Sequence, residues 1–169
     1  EILIGLVGSE MCIRDRYTLV LMGRADFGLL GSYNKYKQTP FETFHVGGDG
    51  MTGSYTYATE TIGLRGYDNG ALTPYSDGRA YTRFSMELHF PFLLQPSSTI
   101  YGLAFVEGGN AWTSLENFNP FSLKRSAGVG VRIFLPMIGL MGIDWAYGFD
   151  KVQGEKGGGH FHFILGQEF

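Results

Sequence analysis

The chain has 169 residues and a formal net charge of −3, and 44% of its residues are hydrophobic, 15% aromatic and only 17% charged. This balance excludes a disordered chain and a nucleic-acid-binding domain with a basic face, and the single cysteine, Cys12, excludes a disulfide framework or a cysteine-based zinc site. The 26 glycines, about twice the usual share of about 7%, and the many aromatic residues are typical of an all-β protein, either a soluble sandwich or part of a transmembrane barrel.

Residues 1–16, EILIGLVGSEMCIRDR, differ from the rest of the chain. A signal peptide places its basic residues first, whereas here Glu1 leads and Arg14 and Arg16 follow the apolar stretch. The string VGSEMCIRDR is similar to a translated sequencing adapter. We therefore predict that residues 1–16 are a sequencing or translation artefact and that the genuine sequence starts near Tyr17.

From residue 17 onward, apolar and polar residues alternate with a period of two, as in a strand with two different faces. In RAYTRFSMELHF, residues 79–90, the odd-numbered positions include arginine, serine, glutamate and histidine, while most even-numbered positions are apolar. No helix produces that separation. The same alternation predicts six antiparallel strands, over 18–30, 79–90, 99–112, 124–135, 138–149 and 160–169.

The predicted connections alternate between short and long. The two short ones contain proline, and the long ones are rich in Gly, Asn, Asp, Ser and Lys, over 31–78, 113–123 and 150–159. An up-and-down barrel of the outer membrane has this arrangement, with short turns at one end and long loops at the other. The predicted strands also have the length of a tilted bilayer crossing, which takes about 9–11 residues.

Six strands are too few for a complete barrel, because bacterial single-chain barrels have at least 8 and open edges in lipid leave backbone groups unsatisfied. We therefore predict an all-β fold that is the C-terminal part, residues 17–169, of a larger transmembrane up-and-down β-barrel. A soluble sandwich with a buried aromatic core shares the period of two and stays open as the alternative at this point.

Two motifs lie in the long connection 31–78, PFETFHVGGDG at 40–50 and LRGYDNG at 64–70. A loop of this length inside a compact fold is usually functional. With the strand order and the C-terminus, these motifs resemble the BamA family of outer-membrane assembly factors, also called the bacterial surface antigen family. The resemblance covers residues 17–169 and implies a complete barrel of about 16 strands. It implies that this loop folds into the lumen, with an Arg-Gly-Tyr tip and packing residues that here are Arg65, Gly66, Tyr67, Phe41, Phe44, Gly47 and Gly48.

The family also places an acidic residue on a neighbouring strand, in a pattern like Phe-x-Asp-x-Gly. This chain has FVEGG at 105–109, so Glu107 replaces the more usual aspartate. A guanidinium that is removed from water needs a carboxylate partner. We predict that Arg65 pairs with Glu107 inside the barrel and fixes the loop. Without the resemblance, Arg65 would be interpreted as a solvated loop residue.

The last predicted strand carries an alternating apolar stripe that ends in an aromatic residue, Phe161, Phe163, Leu165 and Phe169. It looks like the β-signal by which assembly machinery recognises barrel substrates, and such a strand can bind by strand addition. An ordinary lipid-facing strand has the same pattern. In the family, the last strand also forms a weak seam with the first, and Gly166 and the glycines at 157–159 are compatible with that.

No catalytic or metal site is predicted, and no cofactor. His160 and His162 share a strand face but have no acidic residue at ligand spacing. Ser85, Glu87 and His89 form a row along one strand, whereas a catalytic triad must converge. The glycine-rich stretches lack the strand-to-helix context of a phosphate-binding loop.

The resemblance implies a protein of the bacterial outer membrane that folds and inserts other outer-membrane proteins without covalent chemistry, through its seam and β-signal pairing. The implied partners are outer-membrane lipid, unfolded outer-membrane protein substrates, accessory lipoproteins and periplasmic chaperones, with no nucleic acid, and the implied upstream domains are POTRA repeats. The alternative is a two-partner-secretion-type transporter of the same superfamily. A passive porin or a barrel enzyme is a third interpretation.

Overall fold

The computed structural model describes residues 2–14, 19–32, 43–48, 50, 59–73, 78–95, 98–114, 118–135, 139–152 and 158–165. All regular secondary structure in these ranges is β-strand. The nine strands are β1 (Ile2–Arg14), β2 (Val20–Ser32), β3 (Thr43–Val46), β4 (Thr59–Ile62), β5 (Ala80–Gln95), β6 (Ser98–Trp112), β7 (Lys124–Leu135), β8 (Gly139–Gly148) and β9 (Gly159–Leu165). Among the described residues, no helix has the length and apolar character needed to cross a membrane.

Seven of the strands form one antiparallel sheet in the order β1-β2-β5-β6-β7-β8-β9. Neighbours in this sheet follow one another along the chain, except that β3 and β4 intervene between β2 and β5. The predicted all-β, up-and-down fold is confirmed, and each of the six predicted strands is present. The sheet does not close into a barrel within the described ranges, because no pairing there joins β9 to β1.

The first strand comes from the segment that the sequence analysis set apart. β1 pairs with β2 along its whole length, from Ile2 opposite Ser32 to Arg14 opposite Val20. It forms one edge of the sheet. The interpretation of residues 1–16 as an artefact stays a prediction.

Two features of the strands differ from the sequence-based expectation. β5 continues past residue 90 through Pro91, with an irregular register between Pro91 and Leu93 opposite β6. A proline cannot donate a ladder hydrogen bond, so a strand accommodates it at an irregularity of this kind. The long connection also contains regular structure, since β3 and β4 pair in parallel from Thr43 opposite Thr59 to Val46 opposite Ile62.

The two faces of the large sheet have opposite character. On one face, here called the outer face, large apolar side chains are exposed, among them Phe84, Met86, Val106, Val129, Val131, Ile143, Trp145, Phe161, Phe163 and Leu165. On the other, the inner face, polar side chains are buried, namely Asp26, Arg83, Ser85, Glu87, Glu107, Ser126, Arg132, Asp144 and His162. A soluble sandwich has the reverse arrangement, whereas a membrane barrel directs apolar residues to lipid.

Residues of the long connection cover the inner face. An apolar cluster joins this connection to the starting end of β5 and the finishing end of β6, and consists of Phe44, Val46, Ile62, Leu64, Tyr67, Leu72, Tyr81 and Ala111. The Phe44 ring packs edge-on against the Tyr81 ring, with 4.8 Å between centroids. The Phe44 N–H also donates to the carbonyl oxygen of Gly78, at 2.8 Å. These contacts hold the connection in place and direct residues 65–67 toward the buried polar side chains.

Candidate docking site of the loop tip

Arg65 lies on the inner face with its side chain only 1% exposed. Its guanidinium contacts carboxylates from three different strands: Glu107 of β6 at 2.6 Å, Asp144 of β8 at 2.9 Å, and Glu87 of β5. The backbone N–H of Arg65 also donates to Glu107 Oε2, at 2.8 Å. Glu87, Glu107 and Asp144 are called the carboxylate cage below. The structure thus brings Arg65 and Glu107 together, and adds two acidic partners.

Further arginines complete the charge balance around the cage. Arg132 of β7 binds both oxygens of Asp144, with Nη2 2.6 Å from Oδ2. Arg83 reaches Glu107 at 3.2 Å and Asp26 at 3.9 Å. Buried charges are costly unless opposite charges lie beside them. Here four acidic side chains, Asp26, Glu87, Glu107 and Asp144, lie in one connected network with four arginines, Arg24, Arg65, Arg83 and Arg132.

Phe105 binds the flat side of the same guanidinium. The Arg65 Cζ atom lies 3.6 Å from the centroid of the Phe105 ring. A cation over an aromatic face is attracted by about 2 kcal/mol when water is excluded. Phe105 and Glu107 are two residues apart on β6 and therefore point to the same side, so one strand supplies partners for both the plane and the edge of the guanidinium.

The charge state of Arg65 follows from these neighbours. Burial by itself lowers the pKa of the guanidinium, but the charges of Glu107, Glu87 and Asp144 and the hydrogen bond from Glu107 outweigh it, so the pKa lies above the ordinary value of an arginine. Arg65 is therefore a permanent cation. Hydrogen bonds between ionised groups are shorter and stronger than neutral ones, which suits the cage to holding the loop without any covalent bond.

Gly66 lies where the loop approaches the wall of the sheet. Its φ is +91°, and a Cβ atom there would come within 2.9 Å of the Ser126 side chain and 3.1 Å of the backbone of Tyr147 and Gly148. Its N–H donates to Nε2 of His162 on β9, at 2.9 Å. Only glycine combines this backbone conformation with this close approach.

Tyr67 fixes the other side of the tip. Its hydroxyl donates to the carbonyl oxygen of Arg125, at 2.6 Å, and accepts from the N–H of Asp150, at 3.4 Å. Its ring belongs to the apolar cluster, and burial raises the pKa of the Tyr67 phenol. Tyr67 therefore ties the loop to the start of β7 and to the residues after β8.

The upstream glycine pair lies against the turn that follows the tip. Gly47 and Gly48 have φ values of +131° and +78°. A Cβ on Gly47 would meet the carbonyl oxygen of Asp68, and one on Gly48 would meet the side chain of Asn69. The pair thus allows the end of β3 to pass close to residues 68–71. Phe41, which the sequence analysis grouped with these glycines and with Phe44, lies outside the described residues.

The apolar stripe of the last strand lies on the outer face. Phe161, Phe163 and Leu165 are between 61% and 70% exposed, whereas His162 and Ile164 point inward and are buried. β9 is paired with β8 and lies at the edge of the sheet. Phe169 and Gly166 lie outside the part of the chain that the structure describes.

Several partners of the tip were not predicted from the sequence. Glu87, Asp144 and His162 all stand on polar faces in the sequence alternation, so a signal was present, but nothing in the sequence indicates which polar side chains face the tip. Phe105 begins the FVEGG motif at 105–109, and its contact with Arg65 was not predicted. Within the described ranges, no group of three or more His, Cys, Asp or Glu side chains lies where it could hold a metal ion.

One comparison with known proteins agrees with this architecture. A comparison with curated proteins gives no match. A family model described as the Omp85 superfamily domain matches residues 12–169, which include all of β2 to β9 and every site residue named above. Proteins of this superfamily are outer-membrane β-barrels that act in membrane-protein insertion or in secretion. The antiparallel sheet, with its apolar outer face and its covered polar inner face, is part of such a barrel, and the chain belongs to the Omp85 superfamily.

Proposed function

We propose that the protein is an outer-membrane assembly factor of the BamA type, which folds and inserts other barrel proteins without covalent chemistry. The observation that carries the proposal is the position of β9. It lies at one edge of the sheet formed by the described residues and has an apolar outer stripe, and the docked loop tip contacts it from inside through His162. An edge strand is a template on which an incoming strand can form backbone hydrogen bonds.

The carboxylate cage supports this proposal because it stabilises the wall next to the edge. Arg65 joins β5, β6 and β8, and Gly66 extends the contacts to β9. A sheet whose strands are joined on the inner face by the docked loop tip can keep its shape while the edge strand β9 exchanges pairing partners. In this proposal the stripe Phe161, Phe163, Leu165 and Phe169 is the β-signal of the protein itself. Its exposed members Phe161, Phe163 and Leu165 face outer-membrane lipid once the barrel is complete.

The proposed partners follow from the family resemblance. They are unfolded outer-membrane proteins as substrates, with periplasmic chaperones that deliver them and accessory lipoproteins that act beside the barrel. The proposed location is the bacterial outer membrane, where the exposed apolar outer face would contact lipid.

Site-specific disulfide formation tests the proposal in the complete protein that contains this chain. In a Cys12→Ser background, Phe163→Cys places a thiol on the edge strand, and Val129→Cys places one in β7, which has neighbours on both sides. Each variant is mixed in proteoliposomes with an unfolded barrel substrate that carries one cysteine in its last strand. Paired strands bring Cα atoms to about 4.5–5.5 Å, within the range of a disulfide.

We expect the Phe163→Cys variant to form a disulfide adduct with the substrate and the Val129→Cys variant to form none. We also expect the substrate to fold faster than its spontaneous rate, which is followed by its heat-modifiable migration on gels. Equal adducts at both positions, or no acceleration of folding, would overturn the proposal.

The secretion interpretation is tested in the same vesicles. If the loop left the inner face, the charged network of Arg24, Arg83, Arg132 and their acidic partners would line a hydrated passage. A transporter would release a dedicated partner protein on the far side of the membrane and would leave barrel folding at its spontaneous rate. That result would replace assembly with secretion.

A further inference from the structure

His162 connects the edge strand to the loop tip. It lies on the inner side of β9 and is 7% exposed. Its Nε2 atom accepts a hydrogen bond from the backbone N–H of Gly66, at 2.9 Å. Because Gly66 follows Arg65 directly, the strand edge and the carboxylate cage are joined through a single peptide unit.

The geometry of this hydrogen bond sets the protonation state of the ring. A backbone N–H can only donate, so Nε2 must carry no proton and the neutral ring carries its proton on Nδ1. An imidazole takes up a second proton somewhere between about pH 8 and pH 5. In the protonated ring, both nitrogens are donors, and the N–H of Gly66 would then face another N–H.

Charged and titratable groups from β8, from β9 and from the loop face the His162 ring. Asp144 stands opposite His162 in the register of β8 and β9, but it already binds Arg65 from the loop and Arg132 from β7. On β9 itself, the ring of His160 lies 6.3 Å from that of His162 and binds Asp68 of the loop at 3.3 Å. A proton on His162 would therefore place a further positive charge near Asp144, whose two oxygens already bind Arg65 and Arg132.

We propose that His162 is a positioning residue that couples β9 to the docked Arg-Gly-Tyr tip in its neutral form, and that protonation of its ring releases the tip from β9 while Arg65 stays in the carboxylate cage. Any effect of this release on the pairing of substrate strands with β9 rests on the proposed function. The coupling itself does not.

Amide exchange measures the coupling directly. In the complete protein in lipid nanodiscs, NMR can follow the exchange protection of the Gly66 amide, corrected for intrinsic rates, together with the ring nitrogen shifts of His162 between pH 8 and pH 5. We expect the protection to fall roughly tenfold, the size expected for loss of one hydrogen bond, in step with protonation of His162.

Two substitutions make the test specific. His162→Gln supplies an amide oxygen that accepts the same hydrogen bond and does not titrate, so the Gly66 amide should stay protected over the whole pH range. His160→Gln is the matched control and should keep the wild-type pH response. The proposal is wrong if wild-type protection does not depend on pH, or if the His162→Gln variant still loses protection at low pH.

The same variants separate this proposal from the assembly function. If disulfide formation at Phe163→Cys identifies no substrate, the exchange data still decide whether His162 couples β9 to the tip. If the exchange data contradict the coupling, the disulfide experiment at pH 8 still decides whether β9 receives substrate strands.

Discussion

Arg65 is a buried cation whose partners come from different parts of the chain. Buried ion pairs contribute little to stability compared with apolar packing, but a charge left without its partner costs several kcal/mol. We therefore expect the cage to favour one arrangement of the strands, because the guanidinium binds all three carboxylates only when β5, β6 and β8 stand in their native places.

Replacement of Arg65 should destabilise the complete protein strongly. Arg65→Ala leaves the cage without its central cation, and we expect a loss of about 3–5 kcal/mol in the free energy of unfolding. Arg65→Lys should recover only part of this, because an ammonium group cannot bind three carboxylates in the planar geometry of a guanidinium. The measurement is urea unfolding in detergent, followed by heat-modifiable migration. Arg125→Ala, which removes an exposed arginine paired with Asp150, should leave the urea midpoint unchanged. An equal shift for both alanine variants would contradict the special role of Arg65.

Glu107 is expected to be the most sensitive of the three cage carboxylates. It accepts from both the backbone and the side chain of Arg65, and also from Arg83 and Ser85. Glu107→Ala should release the tip and cost about 3–5 kcal/mol of unfolding free energy, whereas Glu107→Gln should cost less because its amide oxygen still accepts one bond. The exposed Glu60 serves as control, and Glu60→Ala should stay within about 0.5 kcal/mol of wild type. Docking of the tip in the Glu107→Ala variant, seen as an unchanged Gly66 amide shift, would show that the pairing is dispensable.

The long strands could be predicted from the sequence because each one separates two very different environments. An alternation such as that of β5, with Arg83 and Glu87 inward and Phe84 and Met86 outward, has no other explanation. β3 and β4 were not predicted, because four residues are too short for a period of two to be recognised and their pairing is parallel and local to the loop. The extension of β5 past Pro91 was missed because proline normally ends a strand.

The site was only partly predictable for a different reason. Arg65, Gly66, Tyr67 and Glu107 could be grouped because two motifs and a family resemblance point to them. The positions of Asp144 and His162 depend on the register of β7, β8 and β9, and on a loop that crosses several strands. Such distances between strands leave no trace in the order of residues along the chain.

Gly66 and Gly139 offer a matched pair for testing how close the loop comes to the wall. Their φ values are similar, +91° and +94°, but a Cβ on Gly66 would meet the sheet, whereas a Cβ on Gly139 would meet nothing within 4 Å. Both Gly→Ala variants should lose about 1–2 kcal/mol of unfolding free energy, because alanine is strained at a positive φ. We expect Gly66→Ala to lose clearly more in urea unfolding, and to lose the wild-type protection of the residue 66 amide. Equal losses for the two variants would mean that the loop does not need this close approach.

The sheet taken as a whole has its charged network on the buried inner face and most of its exposed large apolar side chains on the outer face. The near-equal weight of the two faces explains why the composition alone could equally fit a soluble sandwich. The exposure of Phe161, Phe163 and Trp145, together with the burial of Glu107 and Asp144, separates the two interpretations.

A charge on the outer face should therefore be costly only where the face meets lipid. Val129 lies in the middle of β7 and is 55% exposed, and Phe121, in the connection before β7, is 88% exposed. Val129→Lys should lower the stability of the complete protein in lipid vesicles by about 2–4 kcal/mol, the cost of a lysine at the bilayer midplane. Phe121→Lys should change it by less than about 0.5 kcal/mol. An unchanged stability of the Val129→Lys variant would contradict contact between lipid and this part of the outer face.

The order of the loop tip and its partners along the chain has a consequence for folding kinetics. The partners Glu87, Glu107, Asp144 and His162 follow the tip by 22, 42, 79 and 96 residues. A chain delivered from its N-terminus therefore presents Arg65 long before its last carboxylate partner, so the guanidinium must stay hydrated until β8 has been added, and the Gly66 N–H gains its partner only with β9. Loop-closure entropy grows only slowly with such separations, so the delay comes from the waiting time for the last strand. Docking of the tip is then a late folding event. It requires all of these strands to be in place, because a sheet that lacks any one of them cannot bind the tip fully.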